Sequence, residues 1–212
     1  MAKSIREQTA DERGYVDLHE HIEELRKAGL LFEVDRSINK DTEMHPLVRW
    51  QYRGGVEEED RKAWLFSNVT DAKGRKYDIP VLVGGLAANS AVYKLGMRCE
   101  LDEIKETWIK ALNNPIEPNE VPFDEAPCHD LVYEGEDLLN GFGVDQIPVP
   151  ISSPGWDNAP YFAASHFITK DPNTGIQNMG NYRAMVKAPN RVGFNPSIEL
   201  RTGGYMHWEE WK

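Results

Sequence analysis

Between Asn113 and Pro127 the chain changes texture, and that change limits what it can fold into. The stretch NNPIEPNEVPFDEAP holds four prolines and four acidic residues and no apolar period, as expected of a linker. Before it, helical periods alternate with short apolar runs. Asp17 precedes LHEHIEELRKAG, where Leu18, Ile22 and Leu25 recur at spacings of four and three, so a capped helix is predicted with Gly29 as its stop. LLFEVDR follows as a strand. HPLVRWQYRGG reads as a short helix with Pro46 in its first turn and Gly54-Gly55 after it. Trp64-Leu65-Phe66 and Ile79 to Val83 read as buried strands joined by a polar, hairpin-like DAKGRKYD. Helices are predicted through Ala91–Leu95 and through LDEIKETWIKALNN, which aligns Leu101, Ile104, Trp108 and Leu112 on one face. After the linker come only short strand-like runs, DLVYEG, IPVPI, YFAASHFIT, IQNMGNYRAMV and RVGFN, separated by glycines, prolines and Asp/Asn clusters. The pattern implies an α+β chain, with an α/β domain over 1–125 and a mainly β domain over 126–212.

Charge and composition exclude several classes. A net charge of -11 with no basic stripe argues against nucleic acid, and no apolar run is long enough to cross a bilayer. The opening MAKSIREQTADERG lacks the apolar core of a signal peptide and reads as a polar lead-in. Cys99 and Cys128 stand in no CxxC pattern, which points to a reducing, cytoplasmic home. None of the six histidines has zinc-ligand spacing, and His19 and His21 read as a solvated pair on a helix. At the far end Gly203-Gly204 reads as a break and HWEEWK as a helix just begun, so the chain is expected to be a fragment or one half of a split protein.

Three places carry candidate chemistry. Val83-Gly84-Gly85-Leu86 has the placing of a phosphate-binding turn, but it lacks GxGxxG and reads as a tight strand-to-helix connection. Cys128-His129 are adjacent to an expected strand, and neighbours on a strand point to opposite faces, so both read as structural. The run from Thr174 to Val186, fed by the turn DPNTG, puts Asn178, Gly180, Tyr182 and Arg183 within six residues. In an ideal strand Asn178 and Arg183 face opposite ways, and a bulge at Gly180 would bring them together. Arginine's planar fork suits a carboxylate or phosphate; the same spacing also fits a surface arginine on an edge strand.

The order of these features resembles the N-terminal part of the UbiD family of decarboxylases. The match rests on YVDLHEHIEELRKAGLLFEVDR, AWLFSNV with YDIPVLVGGL, IPVPISSPGWDNAPYFAASHFITKDPNTG and, above all, NMGNYRAMV. The resemblance implies a flavin-reductase-like split β-barrel beginning in 126–212. It implies reversible, non-oxidative decarboxylation of an aromatic, heteroaromatic or α,β-unsaturated acid with prenylated FMN, whose phosphate is anchored by Mn²⁺ (or Mg²⁺) and K⁺. By the same resemblance Asn178 and His207 are expected as metal ligands, the carbonyl of Met179 as a K⁺ ligand, and Gly180, Asn181, Tyr182 and Met206 as cofactor contacts. Arg183 is expected to bind the substrate carboxylate and to pair with a glutamate.

The family's acid/base glutamates and third metal ligand lie beyond the histidine, so the chain alone is expected to be inactive. Its expected partners are the C-terminal half of the enzyme, from the same gene or a separate chain, and copies of itself in a homo-oligomer. The alternatives are a non-catalytic FMN- or phosphate-binding or assembly subunit, and a flavin-reductase-like oxidoreductase, which lacks a recognisable nicotinamide site.

Overall fold

The computed structural model describes residues 15, 17–116 and 120–212. The polar lead-in at 1–14 lies outside the described residues. The chain divides into two compact units. One comprises residues 1–37, 47–68 and 80–126, the other 38–46, 69–79 and 127–212. The second unit thus takes two segments from the N-terminal half, which no composition change signals.

In the first unit, α1 (Leu18–Lys27) starts where Asp17 accepts the Glu20 N–H at 3.0 Å. It ends at Gly29, whose φ of +70° is open to glycine at little cost, and the Leu30 N–H turns back to the Leu25 carbonyl. The buried positions of α1 are His21 and Leu25, one turn apart, while Leu18 is exposed. His21 is therefore not a solvated partner of His19. It is 4% exposed, its Nε2 lies 2.7 Å from the Gly85 carbonyl, and Tyr15 packs edge-on against its ring. Strand β1 (Leu31–Val34) runs parallel to β3 (Ala63–Phe66), and β6 (Val81–Val83) pairs antiparallel with the other edge of β3.

Helix α3 (Ser90–Met97) packs its Val92 with Leu25, Ala63 and Ala88 into the core of this unit. Its N-terminus is already filled. Asn89 accepts the Val92 N–H at 2.7 Å, and the Glu58 carboxylate accepts the Ser90 N–H at 2.5 Å. A Cβ on Gly85 would meet Leu82 at 2.4 Å, so the glycine pair before α3 serves packing. Helix α4 (Ile104–Asn113) leaves Trp108 and Leu112 exposed. Helix α2 (Met44–Trp50) ends short of Gly54-Gly55.

In the second unit, β2 (Ile38–Asn39) lies parallel to β4 (Val69–Thr70), which pairs antiparallel with β5 (Lys76–Tyr77). The β4–β5 turn is tied by Asp71, whose Oδ1 accepts the N–H groups of Lys73 and Arg75 at 2.9 Å each. DLVYEG and IPVPI form no strands. The region 127–146 folds into short 3-10 turns, and Pro148 and Pro150 have no N–H to give a ladder. Later runs do pair. β7 (Tyr161–Phe162), β10 (Ala184–Ala188) and β11 (Arg191–Phe194) form one sheet in the order β11-β10-β7. β8 (His166–Lys170) and β9 (Gln177–Asn181) form a hairpin. Its turn is held by Asp171, which accepts the N–H groups of Asn173 (2.7 Å) and Thr174 (2.9 Å).

Helix α5 (Gly203–Trp211) packs on that hairpin and begins at the glycine pair expected to be a break. The Trp211 indole donates to the Lys170 carbonyl at 2.9 Å, and the Asn173 amide donates to Glu210 at 2.8 Å. The result is a mixed α/β chain of small sheets, and no described helix is long and apolar enough to cross a membrane.

Candidate functional site

The β8–β9 ladder keeps a regular register, with Thr169 opposite Asn178, Ile168 opposite Met179 and Phe167 opposite Gly180. The bulge considered at Gly180 is absent. The strand ends at Asn181, and Tyr182-Arg183 carry the chain across to β10 in the other sheet. Period-two alternation therefore sends Asn178, Gly180 and Tyr182 to one face and Met179, Asn181 and Arg183 to the other. Met179 and its cross-strand partner Ile168 are each 68% exposed.

The first face is packed against α5 through Tyr182, which is 8% exposed. Its ring lies between backbones. A Cβ on Gly180 would come within 2.4 Å of it and a Cβ on Gly204 within 2.8 Å, so both positions need a residue without one. A Cβ on Gly203 would meet the Asn178 amide oxygen at 2.4 Å. The Tyr182 hydroxyl accepts the Gly204 N–H at 2.8 Å and the Asn178 amide N–H at 3.3 Å. Thr202, the residue before α5, offers no side-chain cap, so the tyrosine just past β9 satisfies one of the helix's free N–H groups instead. Burial pushes the Tyr182 phenol up, but hydrogen bonds from Thr202, Gly204 and Asn178 outweigh it and bring the phenol below the usual tyrosine range.

His207, on the same helix, is buried with its Nδ1 2.9 Å from the Thr169 hydroxyl. Asn178 sits directly across the ladder from Thr169, so Asn178 and His207 are both neighbours of that threonine, while the Asn178 amide itself donates to the Tyr182 hydroxyl. With Nδ1 engaged, Nε2 is the nitrogen left for a ligand. An amide oxygen and an imidazole suit a divalent ion such as Mn²⁺. Among the described residues no group of three His, Cys, Asp or Glu forms a metal cluster, so the donors here amount to a partial set. Met206, one residue earlier on α5, is exposed.

Arg183 is on the other side. Its Nη2 donates to Asp157 Oδ2 at 2.5 Å, and its guanidinium carbon stands 3.9 Å from the centre of the Tyr161 ring. No spacing rule connects Asp157 to Arg183, 26 residues later, and the sequence reading missed it. The glycine–tyrosine packing was missed too; its one trace is that glycines stand at both 180 and 203–204. Cys128 and His129 lie in a short 3-10 turn.

Residues 119–212 match the family model described as UbiD, 3-octaprenyl-4-hydroxybenzoate carboxy-lyase Rift-related domain. Among solved structures, apo 3,4-dihydroxybenzoic acid decarboxylase from Enterobacter cloacae superposes with a TM-score of 0.74 at 23% identity, over 92% of this chain and 39% of that one. An evolved dimeric form of the UbiD-class enzyme HmfF from Pelotomaculum thermopropionicum, in complex with prFMN, gives 0.71 at 24% identity, over 87% of this chain and 39% of that one. Vanillic acid decarboxylase from Sedimentibacter hydroxybenzoicus gives 0.67 at 21%, over 88% and 37%. The chain thus spans well under half the length of the enzymes it resembles. Residues 119–212 match the Rift-related domain of the UbiD family, and most of the chain has the fold of UbiD-class enzymes.

Proposed function

We propose that this chain is the N-terminal part of a prenylated-FMN-dependent decarboxylase of aromatic, heteroaromatic or α,β-unsaturated acids. The observation that carries the reading is the NMGNYR run. Within six residues it puts Asn178, across the ladder from the threonine that meets His207, on one face and a partly exposed Arg183 on the other. Two ends of one strand run then serve two tasks, a cofactor-phosphate end and a substrate end. The split-barrel description of 126–212 and the domain boundary near 125 belong to the same proposal.

At the phosphate end, Asn178 and His207 would hold Mn²⁺ together with a carboxylate from outside the described residues. The Met179 carbonyl would hold K⁺, and the backbone through Gly180, Asn181 and Tyr182, with Met206, would lie along the flavin. Prenylated FMN, when bound, supplies the electron sink for the carbon that loses CO₂. At the substrate end, Arg183 binds the carboxylate through charge-assisted hydrogen bonds. Arg183 loses that anionic partner as the carboxylate leaves as neutral CO₂. The arginine therefore has to be held by another anion if its binding is not to oppose that step. A proton must reach the substrate carbon after CO₂ departs, and the described residues near Arg183 offer Asp157, already engaged, as the one carboxylate bonded to it. The acid that protonates is accordingly assigned to the remainder of the enzyme, and turnover by these residues alone is not expected. A second reading, a non-catalytic FMN-binding or assembly subunit, draws on the partial metal set.

The reading is tested by titrating FMN and Mn²⁺ into the assembled enzyme and following flavin fluorescence and manganese electron-spin resonance. Bound flavin that depends on Mn²⁺, and that Asn178→Ala and His207→Ala both weaken, is expected. Equal flavin binding by the wild type and both variants would sink the phosphate-end assignment. CO₂ release from a panel of aromatic acids by the assembled enzyme, lost on Arg183→Ala, separates the catalytic reading from the assembly reading.

A further inference from the structure

We infer that Asp157 and Tyr161 form a clamp that aims Arg183 and half-neutralises it, so that Asp157 sets how tightly the site holds a carboxylate. The inference rests on the proposed role of Arg183 in binding the acid. The clamp is built from the PGWDNAPY turn. The Trp156 and Asp157 N–H groups both bond to the Ser153 carbonyl, at 3.0 and 2.9 Å, and the Ser153 N–H donates to Asp157 Oδ2 at 3.1 Å. The carboxylate is therefore fixed by its own turn before any arginine arrives. Its side chain is 11% exposed, so it is a largely desolvated charge that needs a cation. Arg183 supplies it through Nη2.

Tyr161 is fixed by a different device, its pairing with Met185 across β7 and β10. Its ring takes one face of the guanidinium at 3.9 Å, a cation–π contact. Edge and face are both held by rigid elements, which leaves the plane of the guanidinium little freedom. The Asp157 contact is the guanidinium's one hydrogen bond among the described residues, and the arginine side chain is still 47% exposed. Nε, Nη1 and the second Nη2 hydrogen remain, so a second carboxylate can bind across Nη1 and Nη2 or across Nε and Nη2, in the planar fork geometry that arginine offers. A substrate acid bound there meets a half-neutralised arginine and not a bare cation.

Substitutions separate aim from charge. Asp157→Asn keeps an oxygen that accepts from both Ser153 and Arg183 but removes the negative charge. Asp157→Ala removes both. Tyr161→Phe keeps the ring face, and Tyr161→Leu does not. The readouts are the guanidinium resonances of Arg183 in the labelled full chain and its affinity for benzoate. Ordered Arg183 Nη signals are expected in the wild type, Asp157→Asn and Tyr161→Phe, and averaged signals in Asp157→Ala and Tyr161→Leu. Asp157→Asn is expected to bind benzoate roughly three- to fivefold more tightly, from the Coulomb repulsion removed at water-like screening. An ordered Arg183 signal in Asp157→Ala, or benzoate that binds the wild type and Asp157→Asn equally tightly, overturns the clamp. An Arg183 signal that depends on Asp157 but ignores benzoate in every variant overturns the carboxylate reading of the site and leaves the clamp standing.

Discussion

Replacing Gly180 with alanine tests the packing that holds the candidate site together. The new Cβ would sit 2.4 Å from Cε2 and Cζ of Tyr182 and 2.5 Å from its oxygen. Carbon atoms in contact prefer about 3.5–4.0 Å, so the ring must move by about 1 Å or more. It has little room to do so, because the Gly204 backbone lies on it at a distance where a Cβ would be 2.8 Å away, and Phe167 and Phe194 pack nearby with centroids 6.1 and 5.9 Å from it. Overpacking of this kind costs about 1–3 kcal/mol. A ring displaced that far also strains or breaks the 2.8 Å bond from the buried Gly204 N–H, which adds about 1–3 kcal/mol if the donor is left unpaired. The alanine recovers about 0.5–1 kcal/mol because it has fewer unfolded conformations than glycine. The net expectation is a loss of about 2–4 kcal/mol. Urea unfolding followed by circular dichroism would read it as a lower midpoint. Adding Tyr182→Leu supplies the control: with the ring gone the alanine should cost little, giving a coupling energy above about 1 kcal/mol in the double-mutant cycle. A Gly180→Ala protein within about 0.5 kcal/mol of the wild type, or full additivity with Tyr182→Leu, would show that Gly180 is not there to admit this ring.

Further outcomes are expected at the titrating groups and at His207. In an alkaline ultraviolet titration Tyr182 should ionise before ordinary tyrosines. Tyr77, pushed up to about 12 by burial and by the neighbouring Asp71, should ionise last, and Tyr77→Phe should remove that late step. The signs differ. The Tyr77 contribution to stability is present below the unfolded tyrosine value near 10 and is lost as pH rises toward 12, whereas that of Tyr182 is present above the unfolded value and is lost as pH falls through its lowered folded value. Asp171 is held below the usual carboxylate range by the Thr174 and Asn173 N–H groups, so its contribution is present above about pH 4 and is lost on acidification through its folded value. Asp171→Asn should flatten the acid limb of a melting-temperature profile, and an unchanged limb would remove this turn from the account. Thr169→Val deletes the partner of His207 Nδ1 and should weaken Mn²⁺ binding by about 10-fold or more, with Thr169→Ser rescuing it; equal affinity in the valine variant would argue against His207 as a ligand.

Local chemistry determined much of this chain by itself. The Asp17 cap, the Gly29 stop, the DAKGRKYD and DPNTG turns and the strands around Phe66 and Met185 each follow from residues a few positions apart, and each is where the sequence pointed. Local rules failed where partners are remote. His21 sits on a helix face that looks polar in sequence, yet Gly85, 64 residues away, takes its ring nitrogen. IPVPI has strand composition, but its prolines lack the donors a ladder needs. Gly203-Gly204 signals a break by propensity, and it becomes a helix start because Tyr182 caps one N–H and fills the space a Cβ would take. The candidate site divides in the same way. NMGNYR is legible as a motif, and period-two alternation alone separates Asn178 from Arg183. That His207 joins Asn178 at Thr169, and that Asp157 and Tyr161 grip Arg183, was decided by strand pairing and by one helix laid on a hairpin. Contacts between groups far apart in sequence depend on where whole elements come to rest, and spacing along the chain carries no record of that.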